Sequence, residues 1–238
     1  MSKFKFRSTE EEIMDDLNYE GEILDKTLQE LHFINTWLGG NNVIISGLRK
    51  LISIAEIEKL PQPLRIADLG CGGGDLMKLM ASWAKKNQIK VEITGIDANP
   101  YIVNYAKKNT RDVPEIKYKT VNIFSPEFKT LKFDIITCTL FCHHFTSEQL
   151  EILFKQFKNQ VTLGIVINDI HRHWLAYHSI HLLTSLFSKS FMVKNDAKVS
   201  VLRSFHKNEL AEIFQKSGFN KFRIKWKWAF RYEAVAWK

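Results

Sequence analysis

Five short apolar runs alternate with helical patterns through the middle of the chain. The runs have the length and β-branched content of buried strands and cover residues 64–69, 91–96, 116–121, 133–139 and 161–168. Helical patterns follow the first four runs at 76–87 and 101–109, in a short turn around Pro126, and at 147–159. Because parallel strands need a crossover between them, this alternation predicts a mostly parallel sheet with helices on both faces.

The two ends of the chain are predicted to carry the remaining elements. A helix over 10–38 would stop at Gly39-Gly40, and a second helix over 43–60 would stop at Pro61. After the fifth strand we expect a helix over 174–188, a polar loop, a helix over 207–217, and a strand pair at 219–228 and 231–237. The sequence contains no repeats and no Gly/Ser linker, so its 238 residues are interpreted as one α/β domain.

A glycine-rich turn follows the first predicted strand. Residues 66–75 read Ile-Ala-Asp-Leu-Gly-Cys-Gly-Gly-Gly-Asp, and glycines let a backbone turn tightly and approach a ligand where a Cβ would clash. Dinucleotide enzymes use such a turn too, but their G-x-G-x-x-G pattern would need glycine where this chain has Asp75. Asp68, two residues before the first glycine, suits a ligand with a positively charged amino acid portion better than a pyrophosphate.

A second acidic residue lies at the end of the second predicted strand. Asp97 follows Gly74 by 23 residues, close to the offset of about 20 at which an acid reaches ribose hydroxyls in this architecture. A carboxylate can accept a hydrogen bond from both hydroxyls at once. A helix N-cap before Pro100 is the alternative interpretation, and the glycine turn upstream favours the ribose.

These residues resemble the motifs of class I S-adenosylmethionine-dependent methyltransferases. Residues 68–74 are similar to that family's first motif and Asp97 to its ribose-binding acid. The resemblance implies S-adenosylmethionine as the cofactor and S-adenosylhomocysteine (SAH) as the product. Asn122 stands where the family often has aspartate, and its amide oxygen can still accept from the adenine amino group. The residues to which the resemblance assigns cofactor binding are Asp68, Gly70, Cys71, Gly72, Gly74, Asp97, Ala98, Asn122, Ile123, Thr139 and Leu140.

The resemblance also implies a fold and a division of the chain. The expected fold is a Rossmann-like, seven-stranded, mostly parallel sheet with N-terminal helices and a helical insertion after the fifth strand. In this division residues 1–60 form a helical cap, 61–170 the cofactor-binding core, 171–204 a substrate-side insertion, and 205–238 a closing helix and strand pair. Residues 34–40, 167–172 and 200–205 are similar to stretches of bacterial methyltransferases that accompany type III polyketide and phenolic-lipid synthases.

The acceptor implied by this narrower resemblance is a small aromatic, quinone-like or polyketide-type molecule, methylated at oxygen. A base is needed if the acceptor arrives protonated, and a histidine with a near-neutral pKa can take a phenolic proton. His171 and His143 are the candidates, because each follows the carboxyl end of a predicted strand, where open parallel sheets bind ligands. Packing or loop histidines are the alternative.

The acceptor pocket is expected to draw on several other parts of the chain. Trp174 and His178 share one face of the helix after the fifth strand, which serves either as ordinary core or as a cap over the pocket. Trp37 could close the other side, and Arg231 could hold a phenolate or carboxylate. No metal is expected: Cys138, Cys142, His143 and His144 together lack a usual zinc spacing.

Charge and targeting signals add two expectations. The net charge is +8; residues 171–238 carry 13 Lys and Arg against 4 Asp and Glu, a net of +9. Part of this excess alternates with apolar residues over 222–228, as on an edge strand protected by lysines, so a nucleic-acid partner is not expected. An RNA methyltransferase and a non-catalytic cofactor-binding protein remain the alternatives. With no signal sequence, no transmembrane run and three unpaired cysteines, the chain is expected in the cytoplasm.

Overall fold

A computed structural model describes residues 2–55 and 61–238. Its centre is one seven-stranded sheet in the order β3-β2-β1-β4-β5-β7-β6, in which β7 runs antiparallel to both of its neighbours. The strands are β1 Leu64–Leu69, β2 Val91–Asp97, β3 Ile116–Thr120, β4 Phe133–Thr139, β5 Val161–Ile170, β6 Lys221–Lys227 and β7 Arg231–Trp237. The predicted fold, a mostly parallel sheet closed by an antiparallel pair, is confirmed.

Nine α-helices surround the sheet in the described residues: α1 Glu22–Trp37, α2 Gly40–Ala55, α3 Asp75–Lys86, α4 Pro100–Asn109, α5 Pro126–Thr130, α6 Ser147–Gln160, α7 Trp174–Phe187, α8 Phe191–Arg203 and α9 Lys207–Lys216. Two large apolar clusters lie on opposite faces of the sheet, one beneath α2 and α3 and the other beneath α5, α6 and α9. Within the described residues, no helix is both long enough and apolar enough to cross a bilayer.

The N-terminal part of the chain differs from its prediction. The helix predicted over 10–38 begins only at Glu22, after Gly21 with φ of +94°. Residues 3–20, here called the N-terminal segment, instead cross the carboxyl edge of the sheet and include two short 3-10 turns, Ser2–Phe4 and Ile13–Asp15. The fully buried Arg172 anchors this segment by donating hydrogen bonds to the carbonyls of Phe4 and Lys5. The second predicted helix is α2, which begins at Gly40 and is described as far as Ala55; residues 56–60 of the prediction lie outside the described part.

The prediction of a polar loop after α7 is wrong, because residues 191–203 form α8. The sequence of α8 lacks a helical apolar pattern, because polar side chains occupy part of the buried face of this helix. The Asp196 carboxylate accepts hydrogen bonds from the backbone N–H groups of Ile13 and Met14, 2.9 and 3.1 Å away. Long-range partners of this kind satisfy groups that a periodicity argument places in solvent.

The basic strand at the end of the chain is an edge strand, as predicted. β6 pairs only with β7 in the sheet order. Arg223 and Lys227 reach across to Glu233, whose side chain is fully buried, at 2.7 and 3.0 Å. Part of the basic excess therefore neutralises a buried carboxylate of the sheet.

Candidate active site

A cavity of about 850 Å³ opens at the carboxyl ends of β1, β2 and β4. The N-terminal segment, α1 and the residues after β4 form its other walls. Its size lies in the upper part of the range of roughly 300–1,000 Å³ typical of ligand pockets. All eleven residues to which the family resemblance assigns cofactor binding line it.

The glycine turn presents bare backbone to this cavity. Gly70, Gly72 and Gly74 have φ values of +62°, +49° and +81°, which L side chains rarely adopt. A Cβ on Gly72 would project into open space, with Leu28 at 4.0 Å as its nearest neighbour. A ligand can therefore lie directly against the main chain, which fits a nucleoside held over the turn.

Asp68 places an unpaired carboxyl group in the same wall. Its side chain is buried, and it accepts a hydrogen bond of 2.7 Å from the Thr137 hydroxyl. Burial raises the pKa of Asp68 to about 7, because this one hydroxyl does not offset the loss of solvent. No lysine or arginine pairs with it among the described residues. The carboxylate of Asp68 thus has no cationic partner among the described residues, and the amino group of S-adenosylmethionine would supply one.

The variant Asp68→Asn is expected to have a higher free energy of unfolding than the wild type, by a difference that grows as pH rises. The folded pKa of about 7 lies above the ordinary value of 3.8, so the wild type loses stability as pH rises from about 4 through 7. The variant does not titrate there, and the stability difference should level off above pH 7. Urea unfolding at several pH values measures it, and a pH-independent difference would contradict the assignment. SAH affinity should fall in the same variant.

Asp97 lies across the turn from Asp68 and also faces the cavity. Its Oδ1 accepts a hydrogen bond of 2.9 Å from the Asn99 backbone N–H. Burial raises the pKa of Asp97 to about 6, although nearby backbone amides, including that of Gly72, partly offset this. The N-cap of α4 is Asn99, whose side chain accepts from the Tyr101 backbone N–H. Capping therefore does not require Asp97, which leaves its carboxylate directed to the cavity.

Asn122 and Thr139 occupy the two ends of the remaining cofactor wall. Asn122 is exposed, and its amide oxygen already accepts a hydrogen bond of 2.9 Å from the Phe124 backbone N–H. An adenine amino group would share that oxygen through its second lone pair. The Thr139 hydroxyl is buried and has no partner among the described residues.

His143 lies at the centre of a buried charged cluster just beyond the carboxyl end of β4. Its Nδ1 is 2.7 Å from Asp169 and its Nε2 is 3.4 Å from Glu12, and all three side chains are buried. Burial alone would lower the pKa of His143, but the two carboxylates outweigh this and raise it to about 10. The expected near-neutral histidine is thus absent at this position, because the ring is held as an imidazolium.

Residues around this cluster connect it to the N-terminal segment. His144 contacts Asp15 at 2.6 Å, and Arg203 of α8 pairs with the other oxygen of the same carboxylate. Arg203 also donates to the carbonyls of both histidines. Sequence reasoning did not single out Glu12, Asp15 or Arg203 as site residues. The pairs that His144 and Arg203 form with Asp15 join positions 129 and 188 residues apart, which no local pattern indicates.

Five predicted residues do not line the cavity, and four of them, His171, Trp37, Trp174 and His178, lie near or at the surface. His171 contacts the ring of Tyr232, and burial together with His173 and His206 lowers its pKa to about 4, so it is neutral but outside the cavity wall. Trp37 and Trp174 are 68% and 54% exposed, and His178 is exposed as well. None of the four lines the cavity. The insertion contributes Ser200 and Arg203 of α8 to its wall rather than the predicted face of α7.

Arg231 is buried beneath the turn between α1 and α2. A Cβ on Gly40 would lie 2.9 Å from its guanidinium carbon and would overlap the Asn35 amide oxygen. Burial lowers the pKa of Arg231 to about 10, an effect that nearby Asp169 partly opposes, so the group stays charged at neutral pH. Arg231 does not reach the cavity wall itself, but Asn35 does.

Comparison with known proteins matches residues 66–164 to a methyltransferase domain. The small RNA 2'-O-methyltransferase of Mus musculus is 28% identical over 97 residues, which cover 37% of this chain and 24% of that protein. The mitochondrial ubiquinone biosynthesis O-methyltransferase of Schizosaccharomyces pombe is 28% identical over 117 residues, covering 47% of this chain and 40% of that protein. The chain thus spans well under half the length of these curated relatives.

Solved structures extend the likeness in fold to most of the chain. The plantazolicin methyltransferase BpumL, in complex with SAH and a desmethylPZN analog, has a TM-score of 0.65 at 15% identity, with 90% of each chain covered. The CMeT domain of the citrinin polyketide synthase has a TM-score of 0.57 at 18% identity, covering 76% of this chain and 48% of that one. Residues 66–164 are thus similar to a methyltransferase domain, and the sheet order and glycine turn of the chain are those of the class I S-adenosylmethionine-dependent methyltransferase fold.

Proposed function

We propose that this protein transfers a methyl group to a hydroxyl oxygen of a small aromatic or polyketide-type acceptor. The observation that carries the proposal is the buried trio Asp169–His143–Glu12, of which Glu12 and His143 line the cavity beside the expected cofactor residues. S-adenosylmethionine supplies an electrophilic methyl group when bound. The residues of the chain must then place the acceptor oxygen, remove its proton and exclude water.

An aromatic wall next to the trio supports a planar acceptor. Phe141 and Phe145 meet edge to face with centroids 5.0 Å apart, and Phe124 meets Phe145 at 5.7 Å. All three rings line the cavity. A planar aromatic acceptor could pack against this wall by offset stacking or edge-to-face contact.

The charges of the trio support the removal of a proton. Two carboxylates and one imidazolium give it a net charge of −1, so it can accept one proton. Glu12 Oε1 is buried, lies 3.4 Å from His143 Nε2 and makes no closer hydrogen bond among the described residues, so we assign Glu12 as the proton acceptor. Burial opposes its charge, but the neighbouring imidazolium outweighs this and holds the pKa of Glu12 below its ordinary value. In the proposed mechanism the acceptor hydroxyl gives its proton to Glu12, and the imidazolium of His143 stabilises the resulting oxygen anion. Asp169 holds that ring in place through Nδ1.

The N-terminal segment supports exclusion of water from this reaction. Arg7 donates hydrogen bonds to the carbonyls of Arg203, His143 and Phe145, and Ser8 donates from its backbone to Leu202. These contacts hold the segment that carries Glu12 over the cavity. We infer that the segment covers the acceptor, a role that the sequence predicted for α7.

A transfer assay with labelled S-adenosylmethionine tests the proposal. The acceptor panel contains phenols, alkylresorcinols, alkylpyrones and quinols, with transfer RNA as the control for the RNA alternative. Label is expected in at least one small hydroxyl-bearing acceptor, as an ether stable to mild base. Label in transfer RNA alone would overturn the proposal, as would tight SAH binding with no transfer to any acceptor.

A further inference from the structure

Helix α7 presents an apolar face to solvent. Of its fourteen residues only Ala176 and Thr184 are buried, and none lines the cavity. Leu175, Leu182 and Leu186 recur at intervals of seven and four positions, so they share one face of the helix, and they are 40%, 60% and 66% exposed. The helix contains no lysine, arginine, aspartate or glutamate. Packing within the described chain does not account for an uncharged helix that is mostly exposed.

Exposed aromatic rings extend this face at both ends of α7. At its start, His173 stacks on Phe230 of the turn between β6 and β7, and Trp226 meets Phe230 edge to face. At its other end, the Glu30 carboxylate of α1 accepts hydrogen bonds from the backbone N–H groups of residues 189–190. The large exposed side chains at these two junctions are Trp174, Trp226 and Trp228, and Phe33, Phe187 and Phe191. These six rings and the exposed leucines of α7 are here called the apolar surface, which extends for about 20 Å along the helix.

Three exposed lysines lie beside the apolar surface. Lys3 donates a hydrogen bond of 2.8 Å to the Tyr177 hydroxyl of α7. Lys189 follows the end of α7, and Lys225 precedes Trp226 on β6. None of the three forms an ion pair within residues 2–55 and 61–238. The acids of residues 171–238 do not offset these charges, because each is either buried or paired with a basic side chain: Asp196, Glu209, Glu212 and Glu233.

We propose that the apolar surface docks on a lipid bilayer that carries anionic headgroups. Contiguous exposed apolar side chains of this extent mark interaction sites, and tryptophan is enriched at the boundary between headgroups and acyl chains. Three of the six tryptophans of the chain lie in this surface. Helix α7 would lie in the plane of the bilayer with its leucines in the acyl region, and the lysines would meet the phosphates of the headgroups.

The position of Lys189 favours a bilayer over a second copy of the chain. This lysine stands between Phe187 and Phe191, and all three side chains are exposed. Lysine is depleted from the centres of protein–protein interfaces, where its charge would be desolvated. At a bilayer the same side chain keeps its stem on the apolar surface and its ammonium group among the headgroups.

The proposed surface adjoins the edge of the sheet at which the cavity opens. Helix α7 begins directly after the carboxyl end of β5, and Phe4 of the N-terminal segment meets Tyr177 of α7 edge to face. Docking would therefore bring the cavity close to the lipid. The proposal does not depend on the proposed function, because bilayer binding is measured without an acceptor and without methyl transfer.

Flotation of the full chain with lipid vesicles tests the proposal. The vesicles are phosphatidylcholine alone, or phosphatidylcholine with about one third phosphatidylglycerol. We expect the protein to partition at least about 10-fold more strongly onto the anionic vesicles, and to lose most of this preference in about 0.5 M sodium chloride. Equal partitioning onto both kinds of vesicle, or onto neither, would overturn the proposal.

The variant Leu186→Gln has a matched control in Ile152→Gln. Ile152 on α6 is 64% exposed, close to the exposure of Leu186, but lies outside the apolar surface. Glutamine is a good helix former, so both variants should keep the wild-type melting temperature and SAH affinity. Leu186→Gln is expected to weaken partitioning onto anionic vesicles at least about 5-fold, and Ile152→Gln to leave it unchanged. Wild-type partitioning of Leu186→Gln, or an equal loss in Ile152→Gln, would refute the proposal.

Two measurements on the wild type separate insertion from other modes of binding. Lipids brominated on their acyl chains should quench the tryptophan fluorescence of the vesicle-bound protein, because the rings reach the acyl boundary. Binding without quenching would be adsorption by charge alone and would contradict the proposal. Sedimentation without vesicles tests the second copy: a dimer that Leu186→Gln dissociates, together with no vesicle binding, would assign the surface to self-association instead.

Discussion

Glutamine in place of His143 is expected to lower kcat by about 10²–10⁴-fold and leave SAH affinity unchanged. The substitution removes the imidazolium that lies 2.7 Å from Asp169 and 3.4 Å from Glu12. The acceptor oxygen then loses the group that stabilises its anion, and two buried carboxylates remain without a cation between them. Single-turnover transfer to the best acceptor of the panel measures the loss, and SAH calorimetry shows whether the cofactor site is intact.

Two companion variants separate catalysis from folding. His178→Gln changes an exposed histidine of α7 and should leave kcat unchanged. Glu12→Gln keeps the side chain's shape but cannot take a proton, so kcat should fall while SAH affinity stays the same. If His143→Gln retains wild-type kcat, or if both Glu12→Gln and His143→Gln lose only SAH affinity, the proposed role of the trio is wrong.

The same histidine links stability to pH. Its folded pKa of about 10 lies above the ordinary value of 6.5, so its stabilising contribution is fully present below about pH 6.5. The contribution is lost as pH rises through 10. The difference in unfolding free energy between the wild type and His143→Gln should therefore shrink over that window. A constant difference across it would show that the ring is not held as an imidazolium.

Strand positions could be predicted because their signals are local. β1, β4 and β7 begin and end at the predicted residues, since each is a short apolar run bounded by turn or polar residues. The residues expected to bind the cofactor line one cavity for the same reason: they follow strand ends, and parallel strands bring their carboxyl ends to one edge of the sheet. Asp68 and Asp97 thus meet in one cavity although 29 positions separate them.

The charged cluster around His143 could not be predicted from the sequence, because it depends on contacts between distant parts of the chain. His144 and Asp15 are 129 positions apart, and Arg203 and Asp15 are 188 apart. The hydrophobic periodicity of helices and strands carries no information about pairs so far apart in the sequence. His171 illustrates a different limit: its predicted place after β5 was right, but Asp169 is the residue near that strand's end whose side chain meets the histidine after β4.

Alanine in place of Asp97 is expected to raise the Kd for SAH by about 100-fold or more. The assignment gives this carboxylate hydrogen bonds from both ribose hydroxyls, and a bond to a charged group contributes about 1.5–3 kcal/mol. Loss of the pair therefore removes roughly 3 kcal/mol or more of binding free energy, which is more than a hundredfold in affinity. Calorimetric titration with SAH measures the change at pH 7.5.

The fold should survive this substitution. Burial raises the pKa of Asp97 to about 6, which means that the folded protein disfavours its charge at neutral pH. Removing the carboxylate therefore should not lower the melting temperature at pH 7.5. Asp112→Ala, which changes an exposed aspartate, is the matched control and should leave both SAH affinity and melting temperature unchanged.

The pH dependence of SAH binding gives an independent test of the same contact. A protonated carboxyl accepts hydrogen bonds less well, so wild-type affinity should fall as pH drops through about 6. Asp68 remains in the variant and titrates near pH 7, so a weaker pH dependence should persist in Asp97→Ala. An unchanged Kd in Asp97→Ala at pH 7.5 would refute the ribose assignment, because no other carboxylate at the end of β2 could replace it.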